Sequence, residues 1–245
     1  MILDIHNVTS FVSDFLTPIS KVNDCCILKV DDSGYKSIVT SIDNSLVLYA
    51  TYDQPNTDIS EKLSLNISDI SKLIKILNCL DHDNIKLEFS GNNIKYASVD
   101  INFTFHLLAD NILQEPGIDI TKVHSLEFDF KFSIESSSIL NLIKGSTFAT
   151  DSNKIYFSTS DGFVYGELTD QQKQNIDTYR QKVSEEYIGT PPVESIPVSF
   201  ELIRNISSIR AENINVHLCS ENKVFLFNAN KDSSHVTYIA SAFIN

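Results

Sequence analysis

Residues 68–109 decide the fold, and they read SDISKLIKILNCLDHDNIKLEFSGNNIKYASVDINFTFHLLA. Apolar residues recur at helical spacing from Ile70 to Leu80, after a serine and an aspartate that suit the start of a helix. Apolar and polar residues then alternate from Ile85 to Ser90, which is typical of a half-buried strand. Gly91-Asn92-Asn93 predicts a tight turn, and two further strands follow up to Ala109. The stretch therefore predicts one helix followed by three antiparallel strands.

The same order of elements recurs along the rest of the chain. The first helix is predicted over residues 8–16, with Pro18 ending it, and the third over 135–148, after a phenylalanine-rich strand. The copies begin near residues 2, 68, 126 and 195. Four copies of strand, helix and three strands, two in each half of the chain, predict an α+β protein with helices on one face of antiparallel sheets.

Irregular stretches separate these copies. Residues 110–121 are too long for a hairpin loop and contain the turn Pro116-Gly117, which predicts a connector between two domains. We therefore expect an N-terminal domain over 1–112, a connector over 113–124 and a C-terminal domain over 125–245. The polar segment 170–186 is interpreted as a long edge strand, with a helix as the alternative.

The charge of the chain limits how it can contact nucleic acid. Lys and Arg total 19 and Asp and Glu total 32, so the formal net charge is −13. A chain this acidic does not coat its outer surface with DNA, and any contact must come from basic residues gathered on one face. No segment approaches the roughly 20 apolar residues of a membrane helix. The first residues also lack the basic region of a signal peptide. We expect a cytoplasmic protein without membrane contact.

Motifs of catalysis and metal binding are missing from the sequence. The six histidines form no H-x-x-x-H pair, and there is no phosphate loop, dinucleotide fingerprint or nucleophile elbow. The four cysteines lack the paired spacing of a zinc site. Asp31-Asp32 fall at a predicted turn, where capping is a simpler interpretation than metal binding. The sequence predicts a protein that is not an enzyme and that holds no metal or cofactor.

Several stretches carry a resemblance to a known family. Residues 24–30, followed by Asp32-Ser33-Gly34 and Ser41-Ile42-Asp43, look like the first hairpin of DNA sliding clamps, the family of proliferating cell nuclear antigen (PCNA) and the clamps of large tailed phages. Residues 71–77, before a strand at 83–87, resemble the second inner helix of that family. Tyr238-Ile239-Ala240 resembles its C-terminal strand. The resemblance covers essentially the whole chain and implies a ring-forming subunit with two similar clamp domains.

Three departures from the nuclear proteins bear on the source of the chain. Residues 241–245 replace the usual C-terminal tail, and the connector is short and lacks the composition of the nuclear proteins. The segment 170–192 is longer and more polar than in the nuclear clamps. These departures favour a viral or phage clamp, for which the compartment is the host cytoplasm.

The resemblance implies that the helices line a hole around duplex DNA, where cations touch phosphates without reading bases. Lys72 and Lys75 are three residues apart and so share one helix face. For any one helix alone, an ordinary solvated face is the competing interpretation. The candidate DNA-binding residues are Lys21, just past the end of the first helix, and Lys72, Lys75, Lys144, Arg204 and Arg210.

The resemblance also implies a homotrimer that closes through edge strands, most plausibly 101–109 of one subunit against 179–186 of the next. The candidate interface residues are Phe103, Phe105, Leu107, Tyr179, Gln181 and Val183. A groove under the connector is the expected docking site for partner peptides, although each of its residues could equally be core. The candidate groove residues are Ile42, Leu46, Ile118, Ile120, Ala240 and Phe243.

The function implied is that of a DNA polymerase processivity factor. Its partners would be duplex DNA of any sequence, a DNA polymerase, a clamp loader and further copies of itself. One alternative is a clamp relative that closes no ring or assembles as a heterotrimer and acts as a DNA-associated scaffold. An uncharacterised enzyme is the less favoured alternative.

Overall fold

The computed structural model describes residues 1–55 and 62–242, which form two compact units. The first unit holds the described residues of Met1–Ile42, Val47–Ile118 and Asn230–Val236. The second holds those of Asp43–Leu46, Asp119–Ala229 and Thr237–Asn245. The predicted connector, 113–124, contains a short helix, α4 (Ile120–His124).

The first unit contains two copies of the predicted element order. The first copy has β1 (Ile2–His6), α1 (Val8–Ser10), a π-helix (Phe11–Leu16), α2 (Thr17–Val22), β2 (Cys26–Asp31), β3 (Gly34–Thr40) and β4 (Leu46–Asp53). The second copy has β5 (Leu63–Ile67), α3 (Ile70–Leu77), β6 (Asn84–Ser90), β7 (Asn93–Ala97) and β8 (Asn102–His106). Strands β1-β6-β7-β8 form one antiparallel sheet, and β4-β3-β2-β5 lie side by side in another.

The second unit repeats the order twice more. The third copy has β9 (Phe130–Glu135), α5 (Ser136–Gly145), β10 (Lys154–Ser160), β11 (Phe163–Leu168) and β12 (Tyr179–Ser184), followed by the short strand β13 (Tyr187–Gly189). The fourth has β14 (Pro197–Ser199), α6 (Phe200–Ile206), β15 (Asn213–Cys219), β16 (Val224–Lys231) and β17 (Ser234–Ser241). One sheet has the order β12-β11-β10-β14, and β13-β9-β15-β16-β17 are neighbours in another. The predicted α+β class with antiparallel sheets is confirmed.

Helices and strands bury one side and leave the other in water. Helix α3 buries Ile70, Leu73 and Leu77, one turn apart, and exposes the lysines between them. Aromatic rings fill much of each core. In the first unit the ring of Phe11 lies 4.9 Å from Tyr35 and 5.2 Å from Tyr52, both edge to face. Each such pair contributes about 0.5–1.5 kcal/mol beyond its buried area.

Pro18 does not end the first helix, so that prediction is wrong. The helix continues to Val22, with the proline near the start of α2, and Lys21 therefore lies inside the last turn rather than beyond it. Proline lacks an N–H, so the carbonyl four residues earlier, on Asp14, loses its usual helical donor. The Ser234 hydroxyl donates to that carbonyl at 2.7 Å. The Thr17 amide meanwhile bonds Val12, five residues back, as a π-helix requires.

Four other boundaries differ from the prediction. The polar segment 170–186 is a strand only over Tyr179–Ser184, and turns occupy 171–175. The third helix, α5, ends at Gly145 rather than at 148. The strand before this helix, β9, begins at Phe130 rather than near 126, because the chain turns after α4. Asp69, not Ser68, is the N-cap of α3, since its side chain accepts from the Lys72 amide.

A buried carboxylate anchors the π-helix. The Asp14 side chain is 2% exposed and accepts hydrogen bonds from Ser10 at 3.0 Å, Ser13 at 2.8 Å and the Lys231 ammonium at 3.0 Å. Ser10, Ser13, Asp14 and Lys231 all belong to the first unit, and Lys231 is the last residue of β16. The ion pair therefore ties the turn between β16 and β17 to the first helix.

Replacing Lys231 with methionine should lower the free energy of unfolding by about 3 kcal/mol, because it leaves a buried carboxylate without its cation. Urea denaturation checks this. Lys223→Met, at an exposed site just before β16, should change stability by less than about 0.5 kcal/mol. Asp14→Asn combined with Lys231→Met removes both charges and should recover most of the stability. A double variant as unstable as Lys231→Met would contradict the role of the ion pair.

Candidate functional site

The helices of the first unit present cations to solvent. Lys72 and Lys75 are exposed on α3, opposite its buried residues. The Asp24 carboxylate accepts a hydrogen bond from the Ser71 amide at 2.8 Å. A residue outside the helix therefore satisfies one amide of the first turn of α3, in addition to the N-cap Asp69. Helix α2 packs beside α3 and exposes Lys21 in its last turn. The structure thus brings the two cationic helices of this unit side by side.

The second unit has an equivalent helix pair. Helices α5 and α6 pack together, and Lys144 is exposed in the last turn of α5. Arg204 on α6 is exposed, but it pairs with Glu201 at 3.0 Å and lies 5.1 Å from the centre of the Phe200 ring. Arg210 is exposed just after α6. Except for Arg204, the candidate DNA-binding residues have no carboxylate within 4.0 Å in the described part of the chain.

Carboxylates are nearly absent from the helices. Across all helical segments of the described residues, the acidic residues are Asp14, which is buried, and Glu201, which pairs with Arg204. In the part of this acidic chain that the structure describes, nearly all acidic side chains therefore lie on strands and loops. A helix face that exposes cations and almost no carboxylate can approach a polyanion without repulsion.

Sequence reasoning missed neutral hydrogen-bond donors on the same helix faces. Asn78 and Asn141 are exposed, and each lies three residues from a helix lysine. Such spacing puts them beside the cation on the helix surface. Amide groups commonly donate to phosphates, so the spacing from each lysine was the available signal.

The strands expected to join subunits lie at sheet edges within the described residues. β8 is the last strand of its sheet in the first unit, and β12 is the last of its sheet in the second. Phe103, Leu107, Tyr179 and Gln181 are half-exposed, whereas the side chains of Phe105 and Val183 are buried within their own units. Those two residues could contribute only backbone groups to an interface.

The backbone of β8 shows which amides remain open. Leu107, just after β8, donates its N–H to Asn92, just before β7, and Ser98, just after β7, donates its N–H to Ile101, just before β8. Because N–H groups alternate in direction along a strand, the odd-numbered amides of β8 face β7. The amides of Asn102, Thr104 and His106 therefore point to the free edge.

The edge strand β12 is in direct contact with a cation-bearing helix. A side chain at Gly145 of α5 would lie 2.2 Å from the ring of Tyr179, so glycine is needed for this approach. The Tyr179 hydroxyl then donates to Gln181 at 3.1 Å. Gly145, the residue after Lys144, thus leaves room for Tyr179, which bonds Gln181, and both are candidate interface residues.

The candidate groove residues are divided between the units. Ile42 is 97% exposed at a turn and Ile118 is half-exposed, both in the first unit. In the second unit Ile120 is half-exposed at the start of α4, whereas Leu46 and Ala240 are buried. Phe243 lies outside the described residues. Glu115 of the connector pairs with Lys29 at 2.6 Å, which holds this part of the connector against β2.

Asp31 behaves as a turn residue. It accepts hydrogen bonds from the amide and hydroxyl of Ser33 and pairs with Lys36 at 3.1 Å. These contacts, chiefly the Ser33 hydroxyl, lower the pKa of Asp31 to about 2. Among the described residues no three His, Cys, Asp or Glu side chains are grouped as metal ligands. No helix in the described ranges has the length and apolar character needed to cross a membrane.

No protein-family profile and no curated protein sequence matches the chain. Solved structures do match it over nearly its whole length. The PCNA of A. fulgidus, solved with the C-terminal region of FEN-1 bound, has a TM-score of 0.78 at 13% identity, covering 100% of this chain and 98% of the other. The PCNA of Entamoeba histolytica has a TM-score of 0.78 at 12% identity, covering 99% and 98%.

A third similar structure is a complex of two different clamp chains. The PCNA2–PCNA3 complex of Sulfolobus tokodaii matches with a TM-score of 0.74 at 15% identity, covering 99% of both chains. At such low identity the likeness lies in the fold, and it extends over both halves of this chain. The fourfold strand–helix–three-strand order agrees with it, and the chain therefore has the fold of the PCNA sliding clamps.

Proposed function

We propose that this chain is a subunit of a non-catalytic DNA sliding clamp. Three copies encircle duplex DNA and keep a DNA polymerase and other replication proteins attached to it. The observation that carries the proposal is the charge of the helices. They expose Lys21, Lys72, Lys75, Lys144 and Arg204, with Arg210 just beyond α6. Within residues 1–55 and 62–242 the one carboxylate that the helices expose is Glu201, which pairs with Arg204.

The pattern of cations suits sliding. Contacts to phosphates carry no sequence information, so the ring holds every sequence equally. Each phosphate contact also makes the affinity for DNA fall more steeply with salt concentration and makes release slower. A few long, flexible side chains per subunit therefore attract the duplex without fixing the ring to one position. Asn78 and Asn141 add weaker neutral donors on the same faces.

Ring closure would use the two open edges. Pairing β8 of one subunit with β12 of the next satisfies the amides of Asn102, Thr104 and His106 and removes two edges that favour aggregation. The same pairing would sit next to the Gly145–Tyr179 contact. The domain limits proposed are 1–112 and 125–245, joined by the connector 113–124.

Partner proteins would dock near the connector. The A. fulgidus PCNA binds a C-terminal region of FEN-1, and a similar peptide mode is proposed here for a polymerase and a clamp loader. Ile42, at 97% exposure, and the half-exposed Ile118 and Ile120 offer apolar surface to such peptides. We place the protein in the cytoplasm, that of the host if the chain is viral or phage-encoded.

A heteromeric clamp is the second candidate. The S. tokodaii structure is a complex of two different clamp chains, so the fold accommodates rings with unlike subunits. In that case β8 and β12 would each pair with a different protein. Light scattering of the purified chain separates the two cases, because only the homomeric clamp forms trimers alone.

The test of encirclement is release from DNA ends. The ring is loaded onto nicked circular DNA, the free protein is removed, and the circle is then cut once. We expect retention on the circle and rapid release after cutting, because a topological link needs no tight contact. Blocking both ends with bound protein should restore retention. A protein that stays on linear DNA with free ends is bound by contacts alone, and the clamp proposal is then wrong.

A further inference from the structure

The edge strand β12 carries two cations on the side that faces away from its buried residues. Val183 is buried and Tyr179 lies against α5, so the odd-numbered side chains of β12 point into the second unit. Side chains alternate along a strand, so Arg180 and Lys182 share the opposite side, here called the outer face. Both are exposed. A strand that joins β12 at its free edge must therefore pack beside these two cations.

Aromatic rings of the neighbouring strand β11 support both cations. The guanidinium carbon of Arg180 lies 4.1 Å from the centre of the Tyr165 ring. The ammonium nitrogen of Lys182 lies 4.6 Å from the centre of the Phe163 ring. Contacts of this kind contribute about 0.5–1 kcal/mol each at exposed sites. The two charges are thus held above the sheet, on the outer face, close to the free edge.

The nearest carboxylates do not lie between these cations and the free edge. Glu167 is opposite Arg180 on β11, which is the side away from the edge, and among the described residues Arg180 has no carboxylate within 4.0 Å. Lys182 pairs with Glu185 at 2.5 Å, but Glu185 lies beyond the end of β12 and is 71% exposed. An exposed pair of this kind is weak, so both cations still act on a strand placed beside β12.

The free edge of β8 has the opposite character. Its exposed side chains are those of Asn102, Thr104 and His106, which include no Lys or Arg. β8 also pairs with β7 without a change of register, whereas the pairing of β12 with β11 shifts next to Lys182. Cations and register shifts both hinder an edge strand from pairing with further strands. By these criteria β12 is a protected edge and β8 is an unprotected one.

Two copies of β12 cannot pair well without opposing their cations. In an antiparallel pair that keeps both buried faces on one side, the outer faces also lie on one side. Any such register with good overlap then puts Arg180 or Lys182 of one copy opposite Arg180 or Lys182 of the other. Like charges directly opposite each other destabilise a strand pair. β8 brings no such charge to β12.

We propose that Arg180 and Lys182 select the strand that joins β12, so that a second β12 is rejected and β8 of another copy is accepted. The inference rests on the ring closure proposed above and supplies a reason why the subunits join head to tail. Subunits that join only through unlike edges form closed rings or filaments rather than symmetric dimers. Pairing β12 with β8 also covers the unprotected edge of every subunit in the ring.

Charge at Thr104 tests this selection, because Thr104 is the middle residue of the exposed face of β8. Thr104→Lys gives β8 a cation like those of β12 and should raise the concentration at which half of the trimer dissociates. Thr104→Glu puts a carboxylate near the same cations and should not raise it. The two variants should differ at least about tenfold in this concentration. The difference should shrink at high salt, and light scattering over a dilution series measures it.

Removal of the selecting charges provides the control. Thr104→Lys combined with Arg180→Thr and Lys182→Thr should dissociate near the wild-type concentration, because no cation of β12 is left to oppose the new lysine. Repulsion from Lys95, which lies opposite Thr104 in the same subunit, would not be relieved in this way. Thr190→Lys and Thr190→Glu, at an exposed loop site, should both behave as wild type.

The outcomes separate this selection from the ring itself. If the wild type is trimeric but the Lys and Glu variants at Thr104 dissociate alike, the ring stands and the selection by charge is wrong. The same holds if the combined variant is as weak as Thr104→Lys. A wild type that forms no trimer would instead overturn closure by three identical subunits, on which the inference rests. Circular dichroism checks that every variant keeps its fold.

Discussion

Alanine at the five helix cations is expected to weaken the affinity of the protein for short linear duplex DNA while leaving its fold and size unchanged. The replaced residues are Lys72, Lys75, Lys144, Arg204 and Arg210. All five are exposed, and only Arg204 has a carboxylate partner among the described residues, so their removal disturbs little packing. The effect should be equal for all DNA sequences, because phosphates carry no base information.

Salt dependence gives the quantitative readout. For every phosphate that the variant no longer neutralises, the slope of log affinity against log salt should become shallower by about 0.9. Three subunits multiply the effect, so the affinity for duplex DNA at physiological salt should fall by orders of magnitude. Equilibrium binding to short linear duplexes is measured over a range of salt concentrations, with circular dichroism and light scattering as checks of fold and assembly.

A charge-matched variant separates location from net charge. Alanine at five exposed lysines outside the candidate helix faces removes the same charge. These control residues are Lys62, Lys95, Lys122, Lys131 and Lys223. If the helix faces contact DNA, the control variant should keep most of its affinity for the duplex and most of its salt slope. An equal drop in affinity for both variants would mean that overall charge, and not the helix surface, governs binding.

The sequence predicted the order of the elements because periodicity is a local property. Helix α3 and strands β6 to β8 follow directly from apolar spacing between residues 70 and 106. The exposed position of Lys72 and Lys75 followed from the same spacing. Local rules also assign the turn at Asp31, where the Ser33 hydroxyl and amide bond the carboxylate.

Tertiary partners account for what the sequence could not predict. The first helix passes Pro18 because Ser234, more than two hundred residues later, supplies the donor that proline lacks. Lys231 likewise pairs with Asp14 across most of the chain. No local pattern contains these pairings.

Proline at Thr104 is expected to convert the trimer into folded monomers. The Thr104 amide points away from β7, so the substitution leaves the β7–β8 ladder intact and removes one donor from the free edge. The side chain is exposed, so packing within the subunit changes little. If this edge pairs with β12 of the next subunit, the proline ring also blocks the approach of that strand. Size-exclusion chromatography with light scattering measures the outcome.

Thr104→Ala is the matched control, because it removes the same side chain but keeps the N–H, and it should remain trimeric. Phe103→Pro tests whether the neighbouring amide of β8 faces β7 instead of the free edge. Its N–H faces β7, so this change should lower the free energy of unfolding through the broken intrachain ladder as well as affecting assembly.

A trimeric Thr104→Pro protein would show that β8 is not the closing edge. A monomeric Thr104→Ala protein would instead assign the contact to the side chain. Monomers in Thr104→Pro alone, with unfolding unchanged, are the result that backbone pairing at this edge requires.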